Sequence, residues 1–275
     1  MAEEDPFLMI SNDIASGNTA AISAKILDLA QSFDDPFEVI KCMSMLKLVP
    51  QDGTESTIAN RLVQMADQSN GLEIASALRN LDCPTFALVV LKKLNQNDQV
   101  CRLRCQCLYD MEEYESALAE YQKISKQCIN DRILLSKIQS AVGEHRMSMD
   151  TSTELLKEFP DDYDVRIAYV TSLMMGGRDK EAAKYARESV KDKSADSNAV
   201  AAYVLRVSGN IKAAGGYASR AVQLDPNHIG AMESLGICLA LKGEIQKAKI
   251  VAGAINELSP GDKAAINVLS YCEGQ

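Results

Sequence analysis

Residues 209–228, GNIKAAGGYASRAVQLDPNH, decide how this chain is read. The same phrase returns 34 residues later, where Gly243, Ala248 and Leu258-Ser259-Pro260 stand in for Gly209, Ala214 and Leu224-Asp225-Pro226. Working back, Gly143, Gly177, Gly209 and Gly243 lie 34, 32 and 34 residues apart, and Leu108, Tyr114, Ala117, Tyr121 and Ile124 fit one unit earlier with Glu112 in the glycine's place. A fixed period of this size means stacked helix-turn-helix units, none of which can bury its apolar face alone.

Each position has a mechanical reason. Small residues at Cys105, Ala202 and Gly236 in first helices, and at Ala117, Ala182, Ala214 and Ala248 in second helices, let paired helices approach closely. The turn glycine adopts the left-handed backbone that ends a helix. Pro160, Pro226 and Pro260 stop the second helix, and the Asp or Asn that follows in Pro160-Asp161-Asp162 and Pro226-Asn227 is placed to cap the next one.

The wording of Gly209–Ala214 and Leu224–His228 resembles that of the tetratricopeptide repeat family, over about five units between residues 98 and 260. The chain departs from that pattern in lacking tryptophan and in placing Ser148 where a small alanine is usual. The resemblance implies an all-α fold, a right-handed α-solenoid of stacked antiparallel helix pairs whose first helices line a groove. Carried position by position, the groove falls on Arg102, Gln106, Tyr109, Ile133, Lys137, Ser140, Thr171, Met174, Ala199, Tyr203, Arg206, Glu233 and Ile237. Members that clamp a chaperone's terminal carboxylate use Lys, Asn and Arg there; Ile133, Thr171 and Ile237 leave that set incomplete beside Lys137, so a different protein ligand is expected.

Residues 1–97 are helical without the repeat signature and are read as degenerate pairs continuing the stack, with a separate small helical domain as the alternative. Apolar stripes give helices around Phe7–Ile14, Ile22–Leu29, Phe37–Leu46, Ile58–Met65, Ile74–Leu78 and Phe86–Leu91, with Asp35-Pro36 and Cys83-Pro84 as starts. Turns are expected at Ser16-Gly17-Asn18 and at Asn70-Gly71, and the best boundary candidate is the loop Pro50-Gln-Asp-Gly53. Residues 261–275 form a closing half-repeat, whose Ile266, Leu269 and Tyr271 either cover the preceding helix or form a patch for a homo-oligomer.

Composition narrows the function. A net charge of −9 and a pI near 4.9 argue against nucleic acid, which needs a basic stripe. No run of 18 apolar residues exists, so no membrane insertion is expected, and Met1-Ala-Glu-Glu-Asp-Pro6 carries no secretory pattern; the expected location is cytoplasmic. Catalytic groups are sparse. The two histidines, His145 and His228, fall in turns and are read as solvated there. Cys101, Cys105 and Cys107 share a helix, yet no second pair supplies the four ligands a structural zinc needs, and they are read as reduced packing residues. Neither metal nor cofactor is expected.

The expected function is therefore a non-enzymatic adaptor that binds a peptide or protein segment in the groove and assembles a complex. Alternatives are a chaperone for secretion-apparatus or surface-fibre subunits and a structural subunit of a vesicle coat. A thiol- or metal-dependent enzyme built on Cys101, Cys105 and Cys107 is the least favoured.

Overall fold

A computed structural model describes residues 5–15, 21–47, 49, 53–259 and 261–274. The turn at residues 16–18, the loop at 50–52 and Pro260 lie outside them. Among the described residues the regular elements are seventeen α-helices and one 3-10 turn, with no strand. They fall into two compact units, one up to Lys126 and one from Gln127.

The first unit contains α1 (Pro6–Ala15), α2 (Ile22–Ser32), α3 (Pro36–Leu46), α4 (Thr54–Met65), α5 (Gly71–Asn80), α6 (Pro84–Lys92), α7 (Asp98–Asp110) and α8 (Tyr114–Tyr121). Here α3, α5 and α7 pack in one row while α2, α4 and α6 pack in another. Between the rows lies a core that includes Ile26, Met43, Ile58, Leu62, Leu78 and Leu91. As expected, Asp35 caps α3, accepting the Phe37 N–H at 3.0 Å with Pro36 in the first helical position. The helix expected to stop near Asn70-Gly71 instead ends at Met65. Asp67 accepts from the Ser69 and Asn70 N–H groups, and the Asn70 amide donates to the Met65 carbonyl at 3.2 Å, so the polar side chains turn the backbone before the glycine. Gly71 is the first residue of α5, and the end of the Leu94 side chain lies 2.7 Å from where a Cβ would stand.

The second unit contains α9 (Ile129–Ala141), α10 (His145–Glu158), α11 (Tyr163–Met175), α12 (Asp179–Ser189), α13 (Ala195–Val207), α14 (Ile211–Leu224), α15 (Ile229–Leu241), α16 (Ile245–Leu258) and α17 (Lys263–Glu273). The 3-10 turn Val190–Asp192 follows α12. The odd-numbered helices form one layer, each packing on the next; every even-numbered helix packs on its own partner and on the following odd one.

One backbone device sets the period. Asp82, Glu112, Gly143, Gly177, Gly209 and Gly243 all have positive φ, between 59° and 84°. The residue after each donates its N–H back five positions: to Leu78, Leu108, Gln139, Leu173, Leu205 and Leu239 carbonyls at 2.8–2.9 Å. Glu112 thus occupies the glycine's place in conformation as well as in phase. The turn between α5 and α6 is of the same kind, so the repeat geometry reaches into residues whose sequence lacks the signature.

Small residues act as expected at the close approaches. Val268 of α17 lies 2.7 Å from where a Gly236 Cβ would stand, so only glycine lets α17 settle on α15 in this position. Ser148, in the place of a packing alanine, is fully buried. Its hydroxyl donates to the Ser136 carbonyl at 2.7 Å and meets the Ser140 hydroxyl at 2.7 Å, so the extra oxygen is satisfied.

Candidate functional site: the odd-numbered helix face

In the second unit the ninth residues of α9, α11, α13, α15 and α17 are Lys137, Thr171, Tyr203, Ile237 and Tyr271. Thr171 donates to the Tyr203 hydroxyl at 3.0 Å, so these positions are lateral neighbours on one face. Arg206, nearly one turn beyond Tyr203, sets its guanidinium 5.4 Å from the Tyr203 ring centroid, and its Nε has no hydrogen-bond partner among the described residues. Met174 stays half-buried beside them, and Lys137 is exposed. Glu233 accepts from the Asn267 amide at 2.7 Å.

Four of the expected lining residues have no surface to offer. Ala199 is fully buried, Ile237 is 2% exposed, Ile133 6% and Ser140 7%. Ala199 sits in a small cluster with Ala221 and Ala231 that Tyr163 covers. Ile237 and Ile133 belong to the packed cores with Ile255 and Leu155. Ser140 turns inward to Ser148.

Arg102, Gln106 and Tyr109 belong to the first unit and are half-buried on α7. Arg102 donates to the Lys126 carbonyl at 3.3 Å, beside Asp98, whose carboxylate accepts from the Ser125 and Lys126 N–H groups. Arg102 therefore helps anchor the backbone after α8. Tyr109 stacks obliquely on Tyr114 at 5.5 Å.

Sequence reasoning missed the residue that shapes the face most. Tyr163 opens α11, and its hydroxyl lies 2.2 Å from where a Gly230 Cβ would stand. Burial, with Glu233 and Asp164 nearby, pushes its phenol pKa up. Tyr163 also meets His228 edge-on at 4.6 Å. His228 is a buried residue and not a solvated one: its Nδ1 caps α15 by accepting the Ala231 N–H at 3.3 Å, and its Nε2 lies 3.2 Å from Asp196. The expected cap, Asn227, is held in the preceding turn by Asp225. The face thus carries carboxylates (Asp164, Asp196, Glu233) toward the N-terminal ends of its helices and Lys137 and Arg206 toward the C-terminal ends.

No family model matches the sequence, and no curated protein matches it. Among solved structures, a tetratricopeptide repeat protein from Parabacteroides merdae superposes over 86% of this chain and 98% of its own, with a TM-score of 0.52 at 12% identity. The chain has the tetratricopeptide repeat fold. A thermophilic repeat protein from Thermus thermophilus (12% identity, 74% of this chain and 98% of that one, TM-score 0.44) and yeast Tom70 (15% identity, 98% and 57%, TM-score 0.45) superpose too loosely to bear on it.

Within the repeat fold six of the eight cysteines are buried. Cys101, Cys105 and Cys107 are buried on α7, and Cys105 donates to the Ala117 carbonyl at 3.3 Å. Among the described residues no group of three His, Cys, Asp or Glu side chains is arranged to hold a metal ion. Burial pushes the Cys42 thiol up to about 11; burial and then the hydrogen bond to Glu55 push Cys83 up to about 12. Only Cys128 is exposed and Cys272 partly so. Titration of the native chain with a thiol reagent at mild pH is expected to show these two reacting fast and the other six only on unfolding. A fast third thiol on α7 would contradict the packing assignment.

Among the described residues no helix is long and apolar enough to cross a membrane.

Proposed function

We propose that this chain is a non-enzymatic interaction module that binds a protein segment on the odd-numbered helix face of its second unit and so recruits it into a larger assembly. The observation that carries this reading is the Thr171–Tyr203–Arg206 group, an aromatic ring and a cation side by side on α13, tied to the neighbouring odd-numbered helix through Thr171. Tyrosine and arginine with an apolar neighbour, Met174, are the residue types that anchor protein ligands, because they desolvate large area at small entropic cost. Carboxylates at one end of the face and cations at the other favour a ligand that carries both signs and binds in one direction.

Charge reversal at Arg206, with Lys137→Glu as a second variant, tests this. A partner captured by the wild-type chain should be recovered about tenfold less with Arg206→Glu, while helicity by circular dichroism stays the same. Equal recovery with both variants would sink the assignment.

Homo-oligomerisation through α17 belongs with this proposal, since Ile266, Leu269 and Tyr271 are 39–42% exposed on that helix. If Leu269→Glu leaves the mass from light scattering unchanged across concentrations, that contact is wrong.

A further inference from the structure

On the side of α13 away from Tyr203 and Arg206, α12 and α14 stand apart and leave an open cleft of about 540 Å3. Ala183, Lys180 and Arg187 of α12 form one wall, Ala213 and Tyr217 of α14 the other, and Leu205 lies at its base. Several of its lining side chains are alanines, small compared with the bulk carried by α10. The fifth residue of α10 is Met149, whose sulfur lies 3.1 Å from where a Gly176 Cβ would stand and also meets Arg178. The fifth residue of α12 is Ala183, and Gly216 on α14 has no atom within 4 Å of its missing Cβ.

The rim is cationic in a chain that carries a net charge of −9. Arg187 donates back to the Ala183 carbonyl, at 3.2 Å, and Arg220 lies 5.5 Å from the Tyr217 ring. Among the described residues, none of Lys180, Arg187 and Arg220 pairs with a carboxylate. The whole of α14 bears Lys212 and Arg220 and no acid.

We propose that this cleft is a second docking site, which takes the apolar face of an acidic amphipathic helix from a partner protein. Alanine walls leave room for bulky aliphatic or aromatic side chains between two helices, the arrangement by which grooves accept amphipathic helices. Lys180 and Arg187 on the α12 wall, with Arg220 beside Tyr217 on α14, meet carboxylates flanking those anchors, while the acidic remainder of the surface repels the same helix elsewhere and so fixes where it binds. The alanine lining gives a nucleic acid nothing to stack on beyond Tyr217, which favours a protein ligand.

The test uses a fluorescent helical peptide with Leu and Phe one turn apart and Glu at the flanking positions, titrated into the full chain by anisotropy. Saturable binding is expected, at least about tenfold weaker when Lys replaces Glu or Ala replaces Leu and Phe. The same loss is expected from Lys180→Glu/Arg187→Glu, whose side chains are exposed, and from Ala183→Phe, which fills the cleft. Arg206→Glu, on the opposite side of α13, should leave affinity unchanged. No saturable binding, equal binding of the peptide without apolar anchors, full binding by the double charge variant, or loss with Arg206→Glu would overturn the proposal.

Discussion

Replacing Ala202 with glutamate is expected to remove the cooperative unfolding transition of the second unit. Ala202 is fully buried at the small position of α13, where α14 packs against it, and among the described residues the ion pairs include no cation there. An unpaired carboxylate in such a site costs about 3–5 kcal/mol, a large part of the stability of a domain of this size. Because each repeat contacts only its neighbours, the damage should centre on α11 to α15. The control is Val207→Glu at the exposed end of the same helix, 50% exposed, where a change within about 0.5 kcal/mol is expected. Urea titrations followed by circular dichroism read both. A midpoint for Ala202→Glu equal to that of the control would mean that α13 is not packed as described.

Leu155→Ala should lower stability by about 2–5 kcal/mol. Leu155 is fully buried on α10, among Ile133, Val165 and Ala168, and the helix's other buried positions there are Ser148 and Ser152. The serines are tied to hydroxyl and carbonyl partners and have no apolar bulk to move into the gap. A lower urea midpoint at unchanged slope is the expected reading. A loss under about 1 kcal/mol would show that the site collapses without a cavity.

The turns explain how far the fold was legible. A left-handed turn residue followed by an N–H that reaches back five positions is visible when the residue is glycine, as at Gly143, Gly177, Gly209 and Gly243. Glu112 was legible only by phase. Asp82 was not, because aspartate tolerates the left-handed region yet is common elsewhere. Its turn became apparent only from φ and the Cys83-to-Leu78 bond.

The candidate site was less legible for a physical reason. Repeat register says which residues point toward the face, where Lys137 is exposed and Thr171, Tyr203 and Arg206 are half-buried. Whether a residue on that face reaches solvent depends on its neighbours' reach. Ala199 is covered because Tyr163, from the preceding odd-numbered helix, extends to Gly230 on the following one. No local pattern relates positions 163 and 230. The same holds for Arg166, a buried arginine whose guanidinium donates to Ser197 at 2.7 Å, which in turn donates to Asp192. His228 takes the cap that Asn227 was expected to provide: the capping residue stands two past the proline, as Asp162 does after Pro160, while the Asn227 N–H is held by Asp225.

Site-specific photo-crosslinking tests the interaction reading most directly. A photoreactive phenylalanine analogue is placed at Tyr203, and separately at Ile250, which is 71% exposed on the even-numbered helix α16. The expected result is a covalent adduct between the Tyr203 position and a protein partner that the wild-type chain also captures, with none from Ile250. An adduct from Ile250 alone, or none from Tyr203 while the partner is still captured, would contradict it.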